Sequence, residues 1–90
     1  MKPIRWSTHA RRKAAAREVD EAEVEQAIRQ PDSVAPGNPP RKIFMRRYSD
    51  SILQAEMLLR VVVEETEAEL AVITLYKTSK MRKYVGGQNK

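Results

Sequence analysis

Pro31 divides this chain into two halves that fold by different rules. Before it, apolar residues recur at three- and four-residue spacing; after Pro40 they alternate. A period near 3.6 buries one face of a helix, and a period of two buries one face of a strand. Residues 31–40 hold Pro31, Pro36, Gly37, Asn38, Pro39 and Pro40. This stretch reads as a surface loop without regular structure, short enough to lie inside one domain. Helices first and strands afterwards is the pattern of an α+β domain.

The helical half holds two segments. Ser7 or Thr8 offers a hydroxyl to the free amides of a first turn. Residues 10–17 are rich in alanine and arginine, which favour helix strongly. The apolar face there is little more than Ala10 and Ala14, so this helix must lie close against whatever it covers. Asp20 with Glu23 three positions on has the form of a capping box, and Val19 with Val24 that of a hydrophobic staple. A second helix then runs over residues 21–30, with Val24, Ala27 and Ile28 as its buried stripe and Pro31 as its stop. Upstream, residues 2–6 alternate, with Ile4 and Trp6 on one side, as a short strand or an extended lead-in.

In the other half, residues 42–48 alternate loosely and Ser49, Asp50 and Ser51 signal a turn. Val61, Val62 and Val63 are β-branched and favour strand. Residues 64–69 read as an acidic turn. Residues 70–76 form the clearest strand, Ala71, Ile73 and Leu75 alternating with Val72, Thr74 and Tyr76. Residues 52–58 fit a helix or a strand. The expected architecture is two N-terminal helices packed on a three- or four-stranded antiparallel sheet. One domain is expected over residues 1–85, with 86–90 as a disordered tail.

The chain has no cysteine, which removes disulfides and thiolate metal sites. It has no apolar run of the roughly 18 residues that a membrane span needs. Residues 1–6 lack the apolar stretch of a signal peptide. A cytoplasmic protein is expected. The net charge of +5 is unevenly spread: residues 1–17 carry six basic and no acidic side chains, residues 18–32 six acidic and one basic, and residues 71–90 five basic and none acidic. Basic blocks that converge in the fold attract phosphate, although such a balance also serves solubility alone.

His9 is the only histidine. On a helix it shares a face with Lys13 and Arg17, four and eight positions on. Imidazole titrates near neutrality and suits proton transfer. Cations beside it hold an anionic substrate and offset charge that builds on a phosphate. The plainer reading makes His9 a hydrogen-bonding residue at a helix start, and Lys13 and Arg17 a solvated face or ion-pair partners of Glu18, Glu21 or Glu25. A second constellation is Thr74 and Tyr76 on one face of the last strong strand, with Lys77, Thr78, Ser79, Lys80, Lys83 and Tyr84 after them. These hydroxyls and ammonium groups suit phosphate or an ordered water; equally, they suit an ordinary strand end. Arg41 and Lys42, and Arg46 and Arg47 with Tyr48, mix cations and an aromatic as single-stranded RNA surfaces do. The sequence has no paired-histidine spacing for a metal, no glycine-rich phosphate loop and no Gly-x-Ser-x-Gly elbow. No metal or cofactor is expected. RNA transesterification stays open, because it needs only a proton acceptor, a proton donor and cations.

The chain resembles DUF4258, a family of small bacterial proteins of unknown function. Members begin with an extended Ile-x-x-Ser-x-His-Ala lead and carry basic residues four and eight positions after the histidine. The likeness rests on Ile4, Ser7, His9, Ala10, Lys13, Arg17, Val19, Asp20, Val24, Ala27, Ile28, Pro31 and Asp32, and on residues 59–63 and 73–80 with Lys83 and Tyr84. Two residues depart from the pattern. Lys13 stands where arginine is commoner, which keeps the charge but loses bidentate phosphate geometry. Glu18 stands where glycine is common, so it must turn the chain without glycine's freedom. More distantly the chain is similar to RelE/ParE and BrnT-type toxins.

That resemblance implies a toxin-like, metal-independent endoribonuclease of a toxin–antitoxin system. His9, Arg17, Thr74 and Tyr76 would be catalytic, and Arg12, Lys13, Arg46, Arg47, Lys77, Lys80 and Lys83 would bind nucleic acid. The partners implied are RNA and an acidic antitoxin protein, with no membrane. The alternative is a non-catalytic nucleic-acid-binding or protein-interaction module, including a homodimer in which the acidic second helix opposes a basic patch.

Overall fold

The computed structural model of the protein describes residues 2–79. In chain order these form β1 (Ile4–Trp6), α1 (Thr8–Ala16), α2 (Glu21–Arg29), β2 (Ser33–Pro36), β3 (Arg41–Asp50), β4 (Ala55–Glu65) and β5 (Leu70–Thr78). All five strands join one sheet in the order β1-β5-β4-β3-β2. The α+β class holds, but the expected sheet of three or four antiparallel strands does not. The sheet has five strands and is mixed, because β1 runs parallel to β5, from Ile4 opposite Leu70 to Trp6 opposite Val72. The other three pairings are antiparallel.

Both rim strands account for the difference. β1 is three residues long, and its direction is set by pairing with the far end of the chain. β2 lies within the stretch expected to hold no regular structure. An edge strand tolerates proline, because the missing N–H breaks no interior ladder, so Pro36 closes β2 without abolishing it. Residues 52–58 divide: 52–54 belong to the β3–β4 turn, and β4 begins at Ala55. The expected tail, residues 86–90, lies outside the described residues.

Ser7 caps α1, its hydroxyl accepting from the Ala10 amide at 3.0 Å. Asp20 occupies the N-cap position of α2, but its side chain makes no capping bond. Its backbone carbonyl accepts from the Glu23 and Val24 amides instead. Val19 and Val24, the expected staple, both enter the core. That core packs Ala10, Ala14, Val24, Ala27 and Ile28 of the helices against Leu59, Val61 and Val63 of β4 and Leu70, Val72 and Leu75 of β5. The two alanines let α1 approach β5 closely, and a buried leucine or valine contributes about 1.5–3 kcal/mol relative to exposure. Among the described residues, no helix is long and apolar enough to cross a membrane.

Candidate functional site

The site begins where β1 stops. Beyond Trp6 the Ser7 amide donates to the Val72 carbonyl at 3.4 Å, and its hydroxyl donates to the Ile73 carbonyl at 3.5 Å. The start of α1 is thereby fixed against β5 just past its pairing with β1. At 3.6 residues per turn, His9 and Lys13 flank the stripe that Ala10 and Ala14 bury. His9 Nε2 lies 3.2 Å from Thr74 Oγ1.

A register slip sets up this contact. Val63 pairs with Val72, but Val62 pairs with Thr74, so Ile73 is an extra residue on β5. Without it Thr74 would stand opposite Val61, a core residue, and share its face. An extra residue in one strand re-aims the side chains that follow. Here it turns Thr74 out of the core and toward His9.

The cations of α1 and its C-cap divide into two sets. Arg11 is engaged: its guanidinium lies 5.5 Å from the Trp6 ring centroid and donates to both carboxylate oxygens of Glu21 at 2.8 Å. Trp6 Nε1 in turn donates to Glu25 at 3.2 Å. The carboxylates of Glu21 and Glu25 thus meet Arg11 and Trp6. Among the described residues, Arg12, Lys13 and Arg17 make no ion pair. Arg12 and Arg17 are exposed and Lys13 is half-buried. His9 therefore lies on α1 with Arg12 and Lys13, and with Arg17 at the C-cap, three cations that form no ion pair among the described residues.

The other sequence-predicted residues lie apart from this cluster. Tyr76 is two residues along β5 from Thr74, about 6–7 Å by strand geometry. It stands opposite Arg60, whose guanidinium donates to its hydroxyl and lies 5.1 Å from its ring centroid. Arg60, which sequence reasoning missed, is a buried cation in the otherwise apolar stretch 57–63 of β4, and no motif marks it. Lys77 donates to Asp50 at 2.5 Å with its side chain 13% exposed, so its charge is committed inside the protein. Arg46 and Arg47 occupy β3, two strands away from β5, and alternate to opposite faces of the sheet. Arg46 donates to the Gln30 carbonyl at 2.7 Å, and Arg47 lies 4.0 Å from Asp32. Arg41 and Lys42 pair with Glu64 and Glu65. Lys80, Lys83 and Tyr84 lie outside the described residues.

A family model described as a domain of unknown function, DUF4258, matches residues 6–77. The chain belongs to this family. The match spans both sides of the His9–Thr74 contact and all of α1. No curated protein and no solved structure matches the chain.

The DUF4258 domain holds a second polar cluster, at the far end of β3. Asp50 there is 4% exposed and accepts from Lys77, from the Tyr48 hydroxyl at 3.3 Å and from the Ile52 and Leu53 amides at 3.0 Å. The Lys77 hydrogen bond, followed by the Leu53 amide, pulls the Asp50 carboxyl down to about 2. Burial, followed by the Asp50 charge, pushes the Tyr48 hydroxyl above its ordinary range, so it stays protonated at neutral pH. A hollow of about 180 Å³ opens here between Glu18, Val19, Asp20 and Glu23 on one side and residues 48–51 on the other. Its carboxylates repel phosphate, which sets it apart from the α1 cations. Among the described residues, no cluster of three or more histidine, aspartate or glutamate side chains is arranged to hold a metal ion.

Proposed function

We propose that this DUF4258 protein is a toxin-like, metal-independent endoribonuclease acting in the cytoplasm, with RNA as substrate and an acidic antitoxin protein as partner. His9 serves as the acid–base residue, and Arg12, Lys13 and Arg17 hold the phosphate. The observation that carries this reading is the single histidine, held by Thr74 on a helix that bears Arg12 and Lys13 and ends in Arg17 at its C-cap, none of which pairs with a described carboxylate. Such an arrangement supplies an imidazole for proton transfer and fixed charge for an anion. The experiment is inducible expression of wild type beside His9→Ala, with growth and total RNA followed in each culture. Arrest and RNA fragmentation in the wild type, absent in the variant, is the expected result. Fragmentation that persists in His9→Ala removes His9 from the chemistry.

A second reading is a nucleic-acid-binding module without catalysis. One observation favours it: Tyr76 is engaged by Arg60 and not by His9, so the described contacts give His9 no second proton-transfer side chain. RNA binding that falls steeply with salt, with no cleavage at any pH, is its signature.

A further inference from the structure

We infer that Thr74 is a positioning residue that divides the two ring nitrogens of His9, leaving Nδ1 as the one that exchanges protons with substrate. The inference rests on the reading of His9 as an acid–base residue. Nε2 is occupied by Thr74 at 3.2 Å, so Nδ1 is the nitrogen left to face a ligand. A neutral imidazole carries one proton. For Nδ1 to accept another, Nε2 must already hold that proton and donate it to the threonine oxygen.

This polarity keeps the ring in place through a full cycle. When Nδ1 takes a proton, Nε2–H still donates to Thr74 and the contact survives. In the opposite polarity the hydroxyl donates to Nε2. Nδ1 would then already be protonated, and the bond would break when the ring became an imidazolium, which has no acceptor.

The backbone is tied down at both ends of the contact. Ser7, two residues before His9, caps α1 through Ala10 and is tied to the carbonyl of Ile73, the residue before Thr74. Thr74 is β-branched, so few rotamers compete, and the extra residue at Ile73 aims it. The backbone on both sides therefore places the two residues within reach, and the exposed His9 side chain closes the contact.

Nitrogen-15 NMR of the full chain tests the assignment, and a single histidine gives one unambiguous pair of ring signals. At about pH 9, where an ordinary imidazole is neutral, the wild type and Thr74→Ser should show mainly the Nε2–H tautomer. Thr74→Val, close in shape but without the hydroxyl, should show a shifted tautomer mixture while its backbone amide spectrum stays folded. On an RNA substrate Thr74→Val should lower kcat about 10–100-fold with little change in KM, the scale of a misplaced catalytic group, and Thr74→Ser should restore it. A wild type dominated by Nδ1–H, or identical ring signals in wild type and Thr74→Val, overturns the inference. Nε2–H in a wild type that cleaves no RNA overturns the nuclease reading and leaves the hydrogen-bond polarity standing.

Discussion

At the scale of single residues, Asp50 shows how a buried carboxylate is kept charged. Four donors reach it from three places: Lys77 on β5, Tyr48 on β3, and the Ile52 and Leu53 amides in the turn. The carboxylate thereby pins the β3–β4 turn to the strand two places across the sheet. Its pKa of about 2 lies below the ordinary 3.8, so the unfolded chain takes up the proton first as pH falls. The stability linked to this group is complete above about pH 4 and is lost as pH falls toward 2. Glu65, lowered by Lys2 and then by Lys42, acts in the same direction. Asp50→Asn should therefore lower the urea midpoint at neutral pH and flatten the loss of stability in acid without abolishing it. Urea titrations across that range check this; an unchanged acid slope would show that Asp50 does not carry it. The turn itself is legible in Ser49, Asp50 and Ser51. The partner is not, because Lys77 is 27 residues further on and looks like one more cation in a basic C-terminal block.

Among the elements, the corner between α1 and α2 carries the clearest local strain. Glu18 has φ 57°, left-handed backbone that glycine adopts without cost. The corner is a Schellman closure: the Glu18 amide donates to the Ala15 carbonyl at 3.1 Å and the Val19 amide to the Ala14 carbonyl at 2.9 Å. Val19 and Ala14 are both buried. An L-residue in this conformation costs roughly 1–2 kcal/mol. Glu18→Gly relieves that and returns part of it as unfolded-state entropy, so it should stabilise the fold by about 0.5–1 kcal/mol. Thermal or urea denaturation reads the change directly, and a loss of stability would mean that the Glu18 side chain contributes more than its backbone costs. The need for a turn here is visible in sequence, where the alanine-rich run ends and Asp20 opens a second helix. Helices and long strands are legible for a related reason: each is long enough to show its period, as Val24, Ala27 and Ile28 do in α2. β1 and β2 are too short to repeat a period, and nothing within either states which strand it joins. His9 and Thr74 can each be singled out in the sequence. Their contact cannot, because it depends on Ile73 being the residue that the β4 ladder skips.

For the whole molecule, net charge overstates the surface that a phosphate backbone meets. Lys2, Arg5, Arg11, Arg41, Lys42 and Lys77 are each matched to a carboxylate within 3.4 Å. The five pairs other than the buried Lys77–Asp50 pair are partly exposed and add little stability, about 0–1 kcal/mol each, but they cancel the local field that would draw a polyanion. Arg46 and Arg47 point to opposite sides of the sheet, so adjacency in sequence does not make them one patch. The cations on and at the end of the His9 helix that form no ion pair among the described residues are Arg12, Lys13 and Arg17. If these hold the phosphates, a single-stranded RNA should release counterions from about three contacts. The logarithm of its binding constant should then fall against the logarithm of salt concentration with a slope near −2, at about 0.7 per contact. Arg12→Gln or Lys13→Gln should each make that slope shallower by about 0.7, while Arg47→Gln should leave it unchanged. Fluorescence anisotropy with a labelled oligonucleotide measures all four slopes on one scale. A wild-type slope steeper than about −4 would bring the basic C-terminal block or β3 into the contact and displace α1 as the principal phosphate surface. A slope that Arg47→Gln changes as much as Lys13→Gln does would place the RNA across the sheet, away from His9.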